Sequence, residues 1–116
     1  MNLFELLLVG HLIGDYLLQN RWMAHGKATK WLPLLVHVTI YTLVVFLLAL
    51  CDGGLSYKAT LLIIVAHIIL DKRSFVNFWT SKVTKSSDQF WLMIMVDQSW
   101  HIVVLALATY MSILHV

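Results

Sequence analysis

Four apolar stretches, at about residues 2–23, 32–51, 56–71 and 88–114, take up most of the chain, and each predicts a helix. Each is interrupted by one pair of polar side chains four residues apart: His11 and Asp15, His37 and Tyr41, His67 and Asp71, Asp97 and His101. Residues at that spacing stand one above the other on one helical face. Every predicted helix therefore carries a single polar stripe. The punctuation between stretches agrees with this division. Pro33 suits a first helical turn, where its missing N–H is not needed. Asp52-Gly53-Gly54 reads as a tight turn, and Ser56 as a helix cap. Gly10 and Gly14 form a small-xxx-small pattern that lets a neighbouring backbone approach closely. Over residues 74–84, Phe75, Trp79 and Val83 recur at four-residue spacing beside Lys72, Arg73, Lys82 and Lys85. That pattern predicts a short amphipathic helix lying in a membrane interface; a loop with space-filling aromatics is the alternative.

Composition places these helices in a bilayer. Of 116 residues, 60% are hydrophobic and 12% charged, against roughly 25% charged in soluble domains. About 20 apolar residues cross a hydrocarbon core, and such stretches leave no room for a soluble domain. The expected fold is all-α: one transmembrane domain over 1–116, an integral membrane four-helix bundle. Glu5 stands where a signal peptide would be basic, so the first stretch is expected to be a retained span. The single Cys51 excludes an internal disulfide. The net charge of +2 is uninformative, and no nucleic-acid partner is expected. The placement of charge says more. Arg21, Lys27 and Lys30 fall in the first connection, Lys72, Arg73, Lys82 and Lys85 in the third, and only Lys58 near the second. The positive-inside rule then puts connections one and three in the cytoplasm of a bacterial inner membrane and both termini in the periplasm. Trp22, Trp31, Trp79 and Trp91 flank the two basic connections, as an aromatic belt does.

Ionisable side chains inside a bilayer cost about 2.5–3.5 kcal/mol each on insertion scales and normally face a bundle interior. Measured at about 1.5 Å per residue from the cytoplasmic ends, the four stripes overlap in the cytoplasmic third of the membrane. Seven candidate metal ligands thus converge: His11, Asp15, His37, His67, Asp71, Asp97 and His101. Imidazole and carboxylate together suit a divalent transition metal, zinc first, with iron or manganese next. Inward-facing carboxylates and histidines are an established way to build a two-metal site. Either two metals bind, or one binds while some aspartates orient its imidazoles. A lone intramembrane histidine is more often an interhelical hydrogen bond than a ligand, but four at matching depth, each with an acid or phenol, favour metal. A metal-free His/Asp proton relay is the remaining reading. Tyr41 is expected to donate a hydrogen bond to a ligand. Gln19 and Gln98 are expected to bond either substrate or neighbouring helices, and His25 and His115 to be solvated.

With its motifs set out as His11-Leu-Ile-Gly-Asp15-x-x-x-Gln19, His37-x-x-x-Tyr41, His67-x-x-x-Asp71 and Asp97-Gln98-x-x-His101, the chain resembles a family of small bacterial and phage integral-membrane proteins classed as a domain of unknown function. More remotely it is similar to membrane-bound metal-dependent hydrolases. The resemblance covers the full chain and implies no particular reaction. The expected function is an intramembrane metal-dependent hydrolase acting on a phospholipid or isoprenyl-phosphate-like amphiphile, with Asp15 or Asp97 as general base. The alternative is a metal-ion or proton transporter or channel subunit, working as a homo-oligomer.

Overall fold

Asn2 opens the first helix by capping it. Its Oδ1 accepts the Glu5 N–H at 2.9 Å, and Glu5 Oε2 accepts the Asn2 N–H at 3.0 Å, which satisfies two otherwise orphaned donors. In the computed structural model, which describes residues 1–116, helix α1 then runs Leu3–Leu12 and widens into a π-helical turn, Ile13–Leu17. The stretch expected as one helix over 2–23 is divided here. Gln19 Nε2 donates to the Asp15 carbonyl at 2.9 Å, and Asn20 Oδ1 accepts the Met23 N–H at 2.9 Å. One side chain thus occupies a helical acceptor while the next caps a new helix, α2, Arg21–Gly26.

Helix α3, Trp31–Ala49, starts with Pro33 in its first turn and ends in a 3₁₀ turn, Leu50–Asp52. Gly53 and Gly54 follow at φ +86° and +80°, a left-handed pair in which a side chain would be strained. Helix α4, Tyr57–Asp71, is capped by Ser56, whose Oγ accepts the Ala59 N–H at 3.1 Å. Helix α5, Ser74–Phe78, continues as a second π-helical turn, Trp79–Val83, and α6 runs Phe90–Ile113.

Four of these elements close a ring: α1 packs on α3, α3 on α4, α4 on α6, and α6 back on α1. Gly10 and Gly14 line the α1–α3 contact. A Cβ on Gly10 would lie 3.1 Å from Val45 Cα, and one on Gly14 2.8 Å from Tyr41 Cδ2. At one end of the ring Ser56 Oγ donates to the Val116 carbonyl at 2.6 Å, and Asn2, Gly53 and His115 border one open cavity of about 440 Å³. Both termini therefore share an end with the 52–54 turn, and α2 and α5 lie at the other.

The interior is divided along its length. Leu3, Leu7, Val45, Ala49, Ala59, Ile63, Leu105 and Ala108 form an apolar core toward the termini. Beyond Tyr41 the core becomes polar, with His11, Asp15, His37, His67, Asp71, Asp97 and His101 all buried. The outer surface is the reverse: Leu17, Leu43, Leu47, Val65, Ile69 and Leu107 are exposed. Two spans, Trp31–Asp52 and Phe90–Ile113, are long and apolar enough to cross a membrane. Helix α4, at 15 residues, reaches only about 22 Å, and α1 with its π-turn is similarly short. The α1 stripe ends at the hydrogen-bonded break of Gln19 and Asn20, and the α4 stripe ends with its helix at Asp71, before Lys72 and Arg73.

Candidate metal centre

The polar half of the ring is built from backbone geometry that each helix supplies separately. On α4, His67 and Asp71 stand one turn apart, and both point inward. On α3, His37 sits one turn before Tyr41, and both are fully buried. The π-turn of α1 carries Asp15 inward beside His11, their side chains 3.7 Å apart. Single-turn π segments recur at functional sites.

Four atoms converge from these three elements: Asp15 Oδ1, His37 Nε2, His67 Nε2 and Asp71 Oδ2. His37 Nε2 lies 2.9 Å from Asp15 Oδ1 and 3.1 Å from Asp71 Oδ2. His67 Nε2 lies 3.4 Å from Asp15 Oδ1, 3.0 Å from Asp71 Oδ2 and 3.0 Å from His37 Nε2. A tetrahedral zinc with bonds of about 2.0–2.1 Å has ligand–ligand edges of about 3.3 Å, so these spacings match a cation at the centre. Protons alone satisfy the group poorly. Two Nε2–H groups would collide across 3.0 Å. If only one ring is protonated there, the other's lone pair faces two carboxylate oxygens, acceptor against acceptor. The buried His/Asp cluster can hold a metal ion.

The other stripe residues surround this cage. His11 was expected as a ligand, but both its nitrogens are taken. Its Nε2–H donates to Gln98 Oε1 at 2.7 Å, and Nδ1 accepts from the Tyr41 hydroxyl at 2.9 Å. His101 donates from Nδ1 to the Asp97 carbonyl at 2.7 Å, which leaves Nε2 bare and unpartnered, 3.4 Å from Asp71 Oδ1. Asp97 lies outside the cage, with Oδ1 unpartnered and Oδ2 3.4 Å from Gln98 Nε2. Asp15, by contrast, is engaged in the cage. Tyr41 stacks on His67 with ring centroids 3.8 Å apart, so one residue fixes two imidazoles. Gln19 folds back on its own helix and bonds the Asp15 backbone carbonyl rather than a side chain of the cluster. His25 and His115 lie outside it.

One participant has no signal in the periodicity. Lys27, just past α2, is buried with its Nζ 3.3 Å from Asp71 Oδ2. The break at residues 18–20 turns α2 across the end of the ring and brings this ammonium over the cage. The Asn20 cap signal could have found the break; nothing in the spacing points to the lysine. Beside it, Lys72 Nζ sits 4.1 Å over the Trp31 ring, a cation–π contact that ties the third connection to the start of α3.

A family model described as "Protein of unknown function (DUF3307)" matches residues 3–116. No curated protein and no solved structure matches the chain.

Proposed function

Since the chain belongs to this family of proteins of unknown function, we propose from its own residues that it is an intramembrane metal-dependent hydrolase. The observation that carries the reading is the cage of Asp15, His37, His67 and Asp71, with five edges between 2.9 and 3.4 Å. Zinc suits its size and donor set best, with iron or manganese next.

The inside-out distribution of polarity supports placement in a bilayer. Only 33% of the apolar window of α3 and 17% of that of α6 are buried, whereas the core helix of a soluble protein hides most of its apolar surface. We read α1, α3, α4 and α6 as a four-helix membrane bundle in a bacterial inner membrane. The shorter α1 and α4 are accommodated by local thinning and by their packing on α3 and α6. The basic connections then lie in the cytoplasm and both termini in the periplasm. The helix from Ser74 to Val83 lies along the cytoplasmic interface.

Depth and charge point to the substrate class. The cage sits at the end of the ring capped by Lys27, near the basic connections, where an anionic head group would reside. A phospholipid or isoprenyl phosphate has such a head on an apolar tail that the exposed leucines can accommodate. A divalent metal in the cage would polarise a phosphoryl or acyl oxygen and lower the pKa of water to about 7. The chain's own residues do the rest. Tyr41 and Gln98 hold His11 in one orientation, Lys27 faces the anion, and Asp97, outside the cage, serves turnover rather than cage affinity.

Metal analysis of protein purified without chelators, together with hydrolysis of a phospholipid and isoprenyl-phosphate panel in vesicles, tests the reading. Wild type should carry metal and release product, and Asp97→Asn should keep the cage metal while losing turnover at least 100-fold. A second reading, a metal or proton transporter, draws on the hydrogen-bonded run Tyr41–His11–Gln98, which continues to Asp97 Oδ2 at 3.4 Å. Metal or proton flux without product from any lipid would establish it in place of the hydrolase.

A further inference from the structure

The four-atom cage leaves a second set of buried acceptors without partners. His101 Nε2 is bare, because its ring proton is spent on the Asp97 carbonyl at 2.7 Å. That nitrogen, on a residue 2% exposed, has no hydrogen-bond partner, and neither has Asp97 Oδ1, which lies 3.6 Å from the ring's other nitrogen, Nδ1. Both cage carboxylates reach toward the same place with their other oxygens. Asp71 Oδ1 lies 3.4 Å from His101 Nε2, and Asp15 Oδ2 lies 4.0 Å from it. One ligand atom from each of Asp71, Asp97 and His101 lies within 4.8 Å of the other two. With the His101 ring neutral and the carboxyls ionised, none of these atoms can donate a proton. Buried acceptors facing acceptors are costly unless a cation stands between them.

We infer that the centre is dinuclear: Asp15 and Asp71 each bridge the cage to a second divalent transition-metal ion held by His101 Nε2 and the Asp97 carboxylate. The inference rests on the cage being a metal site, as proposed above, and extends it to a second position on α6. Each aspartate gives one oxygen to each position, which places two cations side by side on shared carboxylates. Two-metal sites of this kind hold their ions about 3.5–4 Å apart and suit displacement at phosphorus. The second position also gives Asp97 its role outside the cage, as the carboxylate that anchors the second ion. Lys27 remains on the cage side, against Asp71 Oδ2.

The test uses the full chain in detergent, stripped with chelator and reloaded with zinc, then separately with cobalt. Wild type should bind two equivalents of zinc, and the two cobalt ions should be magnetically coupled by electron paramagnetic resonance. His101→Ala and the nearly isosteric Asp97→Asn should each retain one equivalent and lose the coupling. One equivalent in wild type overturns the second position and leaves the cage standing. Two uncoupled ions overturn the bridging carboxylates. No metal at all overturns both this inference and the cage beneath it, and so is distinguished from the other two results. Should His101→Ala fail to fold, wild-type stoichiometry and the Asp97→Asn variant decide alone.

Discussion

Tyr41 stands where the apolar and polar halves of the interior meet. Its ring belongs to the core with Leu7 and Val45 and stacks on His67, while its hydroxyl donates to His11 Nδ1 at 2.9 Å. Tyr41→Phe keeps the ring and removes the donor, leaving a buried imidazole nitrogen unsatisfied. The expected loss is about 1–3 kcal/mol of stability, read as a lower unfolding midpoint in detergent, with cage metal content unchanged. A fall in metal content equal to that of His67→Ala would show instead that Tyr41 holds the ligands themselves. The i, i+4 spacing made all seven ionisable residues legible as one buried group, because that spacing fixes which face a side chain shares. It does not fix which atoms meet across helices. Hence His11, equivalent to His67 in its stripe, turns out saturated by Tyr41 and Gln98, and Lys27, outside every stripe, turns out to face the cage.

At the scale of elements, the contact between α1 and α3 depends on the missing side chain of Gly14. A Cβ there would meet Tyr41 Cδ2 at 2.8 Å and Tyr41 Cα at 3.1 Å. The second of these is backbone and has little room to yield. Gly14→Ala should therefore destabilise the protein by about 1–3 kcal/mol and lower metal affinity, because it pushes the Asp15 turn away from α3. Metal titration alongside thermal unfolding checks this. An unfolding midpoint equal to wild type would mean that α1 and α3 are not packed as described. The small-residue pattern of α1 was readable in the sequence, as were the caps at Ser56 and the turn at Gly53-Gly54. The end of α1 was not. Apolar residues continue through Leu17 and Leu18, so composition carried the helix on, while the stop comes from the side chains of Gln19 and Asn20 bonding to backbone.

For the whole molecule, the shared end of the termini and the 52–54 turn makes orientation testable with a native reporter. Cys51 is the only cysteine and is exposed at that end. A membrane-impermeant maleimide should label it from outside intact cells. Lys30→Cys and Lys82→Cys, made in a Cys51→Ser background, should react only after the membrane is opened. Labelling of either from outside would overturn the orientation. The ring also imposes an order in time. All four cage atoms belong to residues 15 to 71, and the chain is made from its N-terminus. The cage's donors therefore exist before Phe90, the first residue of α6, has been added. The last helix arrives at a half already furnished with charge and brings Asp97, Gln98 and His101 to it. Synthesis itself thus divides the buried polar group: the cage residues are all present once α4 has been made, and Asp97, Gln98 and His101 wait on α6.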